Sequence, residues 1–388
     1  MTELHIPESF RNRPYAKRHF GLIARWAVAN HPFYQKHAPD PGQPFPILTR
    51  AVIQADNQLL LNGSPVTGRT SGSTSTPVEI SWAPPRERID KQDSARLVAM
   101  MGGPLPNMKI VSTVAHKKDA TTIDVATPIP EQIEFILKRQ AEAGACSLVT
   151  YPTNVEMLCK YVIEHGLDMG FMRRVTCLSE VYEPYHDQLI AQAFPNAVAH
   201  CTYSSVETGL IATRCPFNRE NYHIAAHKLG VEFLDPDGRP CRDGEPGQVV
   251  ITDYFNRRST LIRYALGDLA APTTCGCGRI DLPAMTNIIG KVRGVLKDPT
   301  GRPVIFTHLS PMFRDSPEIG QFQVVQEALD RFIVRYVPRR GADVQPFLDR
   351  VRERFAGEFG AGTTIAFESH AEIPRSAGGK YHAAICLV

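Results

Sequence analysis

The residues best suited to chemistry fall in short stretches spread along the chain. Arg69-Thr-Ser-Gly-Ser-Thr-Ser-Thr-Pro77 sets hydroxyl side chains on both sides of Gly72. Backbone N–H groups and hydroxyls in such a loop suit a polyphosphate, although the same composition also makes an ordinary exposed loop. Thr202-Tyr-Ser-Ser-Val-Glu-Thr-Gly209 offers an aromatic face to stack a base and a carboxylate to hold magnesium, or else a turn with a solvated Glu207. Leu261-Ile-Arg-Tyr-Ala-Leu-Gly-Asp268 ends an apolar run with an acid, which could accept hydrogen bonds from ribose or simply cap a turn. Ile373-Pro-Arg-Ser-Ala-Gly-Gly-Lys380 puts a lysine on a glycine-rich segment, as a cation that must reach a reacting phosphate and then leave requires; plain solvated surface is the alternative. Cys215, His223, Cys275 and Cys277 have the chemistry of a closed tetrahedral zinc site, with His227 and Cys241 as substitutes and unligated thiols as the alternative.

These stretches need elements to position them. Ile133, Ile136, Leu137 and Ala141 fall at helical spacing, and Ser147 to Tyr151 reads as a strand. A second helix, capped by Thr153, would stripe Val155, Leu158, Cys159 and Val162 and stop at Gly166. A strand over Arg174 to Leu178, a helix over Glu183 to Phe194 and a strand over Val198 to Cys201 continue the alternation. Alternation of this kind predicts a helix-covered parallel sheet, whose ligands sit beyond the carboxyl ends of the strands and here just after Cys201. From Gly230 to Thr252 the texture changes to short strands around the turn Asp235-Pro-Asp-Gly238. Paired strands near Phe322 to Gln326 and Arg331 to Val337, a helix over Pro346 to Phe359 and a strand over Thr364 to Glu368 predict a small α+β domain from about Lys291 to Val388.

The length of 388 residues suits two or three domains, and a formal charge of +3 with both signs interspersed argues against a nucleic-acid partner. Residues from Met1 to Phe20 lack the continuous apolar stretch of a signal peptide or membrane anchor, so a cytoplasmic protein with no membrane partner is expected. Nine cysteines are too sparse for a disulfide scaffold; Cys146, Cys159, Cys177 and Cys201 read as core residues.

Taken in order, the stretches resemble the adenylate-forming superfamily of acyl-CoA ligases and peptide-synthetase adenylation domains, and specifically its phenylacetate-CoA ligase branch. Leu178-Ser-Glu-Val181, Cys275-Gly-Cys-Gly-Arg279 and Ile289-Gly-Lys-Val-Arg-Gly-Val-Leu-Lys297 add to the resemblance, which spans about Thr70 to Lys380. It implies an α/β fold: an ATP- and acyl-binding domain over residues 1–290, with a β-rich subregion at about 210–285, followed by a small mobile α+β lid over 291–388. On that resemblance Thr70, Ser71, Gly72, Ser73 and Thr74 would embrace the phosphates of ATP, Tyr203 would stack on the adenine, Asp268 would bind the ribose, and Ser204 and Arg263 would also contact the nucleotide. Glu207 would ligate Mg2+, and Lys380 would stabilise the charge that builds as a carboxylate attacks the α-phosphate.

The same resemblance implies an aromatic acid as substrate, CoA or a carrier protein as acceptor, a homodimer, and a place in secondary metabolism such as activation of an antibiotic precursor. The chain departs from the family pattern where Ser75 replaces a glycine, where Val78 replaces a lysine common among relatives, and at Gly290-Lys-Val-Arg-Gly294, which lacks a hinge aspartate. An acyl-protein synthetase that loads its own Cys386, and a nucleotide-binding module without catalysis, are the competing expectations. If Lys380 acts as implied, Lys380→Ala abolishes acyl-adenylate formation and leaves nucleotide binding largely intact; pyrophosphate exchange at the wild-type rate in that variant refutes the assignment.

Overall fold

A computed structural model describes residues 5–10, 12–40, 42–70, 77–113, 118–291, 295–304, 306–375 and 381–388. The chain divides into two compact units, the first within residues 1–288 and the second from Ile289 on.

The first unit is built on an 11-stranded sheet. On one side Thr122–Asp124, Asn107–Val111, Ser147–Thr150, Arg174–Cys177 and Val198–Ser205 run parallel in that spatial order. Their near-continuous burial suits a sheet covered on its faces. The crossovers are the helices Ile129–Ala143, Pro152–Glu164 and Pro184–Ala193, each with a proline in its first turn, where the missing N–H has no intrahelical partner to lose. Beyond Val198–Ser205 the sheet continues antiparallel through Gly209–Arg214 and Tyr222–Ile224, and it reaches Tyr264–Thr273, Gly247–Asp253 and Leu229–Leu234 by way of Ala284–Lys291. This is the α/β class expected, parallel and helix-covered on one side and β-rich on the other.

Three local expectations differ from the fold. Leu137 and Ala141 are exposed, because Gln132 takes the inward position beside Ile133 and Ile136; its amide donates to the Val125 and Thr127 carbonyls and accepts from Asn154. Thr153 does not cap its helix: Pro152 occupies the first helical position, and the Thr153 N–H and hydroxyl donate to Glu180. The strand expected to end at Cys201 continues to Ser205, since Gly209–Arg214 folds back and supplies its ladder partners. Cys159, Cys177 and Cys201 are buried, Cys146 partly so, and all nine cysteines are free thiols.

The helix Pro84–Met100 turns charged side chains inward. Arg86 has no exposed surface; its Nε donates to Asp253 at 2.7 Å and its Nη2 to the Thr208 carbonyl at 2.6 Å. Lys228 is equally buried and its ammonium sits 2.6 Å from Asp90 and 2.8 Å from Asp93. One helix is thereby tied to the hairpin at Thr208, to the start of Leu229–Leu234 and to the end of Gly247–Asp253.

The second unit packs the helices Ser310–Arg314 and Gln345–Phe359 on a four-stranded sheet in the order Thr364–Ser369, Arg331–Pro338, Ile319–Ala328, Ala384–Cys386. Phe313, Phe332, Phe347, Phe355 and Phe359 make its core. No helix among the described residues is long and apolar enough to cross a membrane.

Removing one partner of a buried charge cluster leaves the others uncompensated, which costs about 3–5 kcal/mol. Lys228→Met therefore lowers the urea midpoint of the first unit, read by fluorescence of Trp26 and Trp82, the chain's two tryptophans, both of which belong to it. A midpoint equal to wild type means the ammonium is not needed by Asp90 and Asp93.

Candidate active site

Val198–Ser205 ends in the turn that carries Glu207. Thr208 N–H donates to Ser205 Oγ at 3.1 Å, and Gly209 closes the turn at φ 66°. A Cβ at position 209 would lie 2.4 Å from Trp82 and 2.5 Å from Asp90, so the helix above leaves room for glycine alone. Asp90 also accepts from Leu210 N–H at 3.2 Å, and Arg86 holds the Thr208 carbonyl, so the chain is fixed immediately after Glu207.

Glu207 is buried, and its Oε1 accepts from the Tyr264 hydroxyl at 3.1 Å. Asp268, also buried, accepts from the Tyr203 hydroxyl at 2.7 Å. Tyr264 and Asp268 lie on the same strand, Tyr264–Thr273, on either side of a bulge at Gly267, which stands at φ 75°. Burial first, and then the neighbouring carboxylates, push both phenols well above their ordinary range; they stay protonated and donate.

Arg50 opens the helix Arg50–Ala55. Its Nη2 donates to Thr70 Oγ1 at 2.6 Å and its Nη1 lies 3.8 Å from Glu207 Oε1. Thr70 is the first residue of the hydroxyl-rich loop and is pinned at its base: Thr70 N–H donates to the Val78 carbonyl, and Val78 N–H donates to Thr70 Oγ1. Arg50 thus brings Thr70 and Glu207 together, Tyr264 joins Glu207, and Tyr203 and Asp268 form a second pair.

Other expected residues fall differently. Ser204 lies on the same strand with its side chain exposed. Arg263, at φ 52°, is spent on buried Glu232 at 3.1 Å and on the Phe45 carbonyl, not on the Glu207 group. Asp119 folds onto Thr121 and Thr122, whose hydrogen bonds hold its carboxyl down at about 2. Ser71, Gly72, Ser73, Thr74, Ser75, His116, Arg293 and Lys380 lie outside the described residues. Cys386 is buried on its strand with its thiol 3.5 Å from Gln326 Oε1.

The ligand atoms of Cys215, His223, Cys275 and Cys277 all lie within 4.8 Å of one another, and Cys277 Sγ is 3.6 Å from His223 Nε2. A tetrahedral zinc ion spaces such atoms about 3.5–3.8 Å apart. The Arg279 backbone N–H lowers the Cys277 thiol to about 6, toward the thiolate a metal needs. Of the substitutes, His227 pairs with Asp93 at 2.8 Å and Cys241 stands against Gly247, so neither joins the cluster.

The chain is similar to 2-hydroxyisobutyryl-CoA ligase in its postadenylation state, bound to its acyl-AMP, with TM-score 0.73 at 15% identity over 98% of this chain and 90% of that one. The chain has the fold of adenylate-forming enzymes. The amide bond synthetase McbA from Marinactinospora thermotolerans aligns over 81% of this chain and 66% of its own, with TM-score 0.58 and 15% identity. For the anthranilate-CoA ligase AuaEII in complex with anthranoyl-AMP the values are 81% and 65%, with TM-score 0.56 and 13% identity. Residues 296–386 match the CapK C-terminal domain family. No curated protein matches the chain by sequence.

Sequence reasoning missed Arg50, Tyr264 and the Arg86–Asp90 clamp. Tyr264 had a readable signal, its place in the same short stretch as Asp268. Arg50 had none, because only the fold brings it to Thr70 and Glu207.

Proposed function

We propose that the chain uses ATP to convert a carboxylic acid to its acyl-adenylate and then passes the acyl group to a thiol. The carboxylate oxygen attacks the α-phosphorus, the bond to the β-phosphate oxygen breaks, and pyrophosphate leaves. The thiol sulfur, having lost its proton to solvent, then attacks the acyl carbon, whose bond to the AMP oxygen breaks, and AMP leaves. The observation that carries this reading is the pair of buried carboxylates, Glu207 and Asp268, each held by a tyrosine hydroxyl, with Arg50 joining Glu207 to the root of a hydroxyl-rich loop, within the fold of adenylate-forming enzymes.

In this reading Thr70, Ser71, Gly72, Ser73 and Thr74 receive the phosphates, Tyr203 and Ser204 meet the adenine, Asp268 binds ribose hydroxyls and Lys380 faces the reacting phosphate. Glu207 would hold Mg2+: one buried carboxylate beside substrate phosphates is a donor set that this ion accepts, and the ion would neutralise phosphate charge. Residues 1–290 would be the adenylation domain and 291–388 its lid. Arg263 is left out, since Glu232 already occupies its guanidinium.

CoA is the acceptor we favour, because 2-hydroxyisobutyryl-CoA ligase has been captured with acyl-AMP and CoA together. The likeness to an anthranilate-CoA ligase supports an aromatic acid, while a place in secondary metabolism rests on the sequence resemblance alone. Self-acylation gains nothing from the fold, since the Cys386 thiol is buried against Gln326. Cys215, His223, Cys275 and Cys277 would hold a structural zinc ion, four protein ligands leaving no open position.

ATP–pyrophosphate exchange over a panel of aromatic and aliphatic acids tests the activity. Acid-dependent exchange is expected, strongest with an aromatic acid; silence across the panel sinks the reading, and a preference for aliphatic acids removes only its aromatic part. Elemental analysis of the purified protein is expected to find stoichiometric zinc that Cys277→Ser and Cys275→Ser release, with a lower melting temperature. Metal-free wild-type protein of unchanged stability would end the zinc assignment.

A further inference from the structure

Arg50 is held in place by features that have nothing to do with its own charge. Leu48, two residues earlier, pairs with the strand that begins at Tyr264: Leu48 N–H donates to the Arg263 carbonyl and Ala265 N–H donates to the Leu48 carbonyl, both at 2.9 Å. Arg50 is therefore anchored beside the tyrosine whose hydroxyl holds Glu207. From there its guanidinium reaches Thr70 Oγ1 at 2.6 Å.

The surroundings of this guanidinium differ from those of the chain's structural arginines. Arg86 is fully buried and hydrogen-bonded to Asp253 at 2.7 Å, and Arg263 hydrogen-bonds Glu232 through both Nε and Nη2. Arg50 instead stands 3.8 Å from Glu207, beyond hydrogen-bond length, and its side chain keeps 31% of its surface exposed. A planar guanidinium has more N–H donors than one hydroxyl can use, and it matches phosphate oxygens in a bidentate way that an ammonium cannot. Other residues flanking the loop are committed elsewhere: Arg69 is turned to Glu79 at 2.9 Å, and Val78 is fully buried.

We propose that Arg50 is a phosphate-binding residue of this site, which grips the β- and γ-phosphates of ATP and the pyrophosphate they become. The proposal rests on the adenylating reading given above. It adds a cation from outside every stretch that the sequence singled out. Because AMP lacks the phosphates that Arg50 would grip, the residue should discriminate ATP from AMP, a split that a merely structural arginine would not produce.

Calorimetric titration of the full chain with Mg-ATP and with AMP tests this, using wild type, Arg50→Gln and Arg50→Lys. Arg50→Gln keeps an amide donor for Thr70 and loses the charge. Losing a charged hydrogen bond to phosphate should weaken ATP roughly ten- to a hundredfold and leave AMP unchanged. Arg50→Lys, which keeps the charge without the fork, should lie between. If either folded variant loses ATP and AMP affinity in equal measure, or neither, the proposal is overturned. If Arg50→Gln fails to fold, the Arg50→Lys split decides alone. Wild type that binds ATP but exchanges pyrophosphate with no acid would overturn acyl activation while leaving the binding split as a valid test of Arg50; wild type that binds no ATP would overturn both.

Discussion

The buried guanidinium of Arg86 is the contact on which the arrangement around Glu207 depends. Backbone carbonyls inside a protein must be hydrogen-bonded, and the one at Thr208 sits where the ladder between Val198–Ser205 and Gly209–Arg214 has already turned over. Arg86 satisfies it, and the same guanidinium spans to Asp253 and Asp90, so a single charged group fixes the tip of one hairpin to two other elements. Burying that charge is tolerable only because its partners are all in place, and the geometry it enforces is correspondingly stiff. Glycine at 209 completes the constraint, since the helix lies too close for a side chain.

Acidic side chains in the first unit are satisfied in two different ways, and the difference separates framework from site. Asp253 and Glu232 have arginine partners at hydrogen-bond distance, and Asp90 and Asp93 share Lys228; their charges are cancelled where they stand. Glu207 and Asp268 receive their close hydrogen bonds from tyrosine hydroxyls, which orient a carboxylate without neutralising it. Burial and the adjacent acids raise both phenols, so neither tyrosine gives up the proton through which it donates. Glu207, with Arg50 3.8 Å away, and Asp268 are thus oriented by phenols that stay protonated, which suits the magnesium and ribose contacts proposed for them.

Much of this was legible before any coordinates. The alternation of helical and strand-like runs from Pro130 onward located the parallel side, and Tyr203, Glu207 and Asp268 could be singled out because each lies in a short stretch whose residue types suit a nucleotide. Two kinds of feature were hidden. Gln132 faces inward where apolar periodicity placed Leu137, because two backbone carbonyls at Val125 and Thr127 needed a donor and periodicity cannot see that demand. Arg50 and Arg86 are ordinary arginines in polar stretches, and their roles come from partners that the sheet delivers from the far side of the sequence. Arg263 shows the reverse: its place in an informative stretch suggested a ligand contact, but the buried carboxylate of Glu232 had the prior claim.

The position of the cysteine and histidine cluster follows from the same strands. Gly209–Arg214 starts at the turn bearing Glu207 and ends one residue before Cys215; Tyr264–Thr273 starts with the tyrosine that holds Glu207 and ends two residues before Cys275. These two strands are not ladder neighbours, since Tyr222–Ile224 and Ala284–Lys291 lie between them in the sheet. Their separation at the cluster is otherwise set by those intervening ladders and by Arg279, which stacks over the Phe217 ring. A metal bridging Cys215 to Cys275 and Cys277, with His223 from Tyr222–Ile224 as the fourth ligand, would fix that separation directly. Both strands run between the cluster and the Tyr264–Glu207 hydrogen bond, one of them through the bulge at Gly267, so a spacing fixed at one end bears on the other. A closed structural site remote from the nucleotide would in this way bear on the geometry of a carboxylate that it never touches.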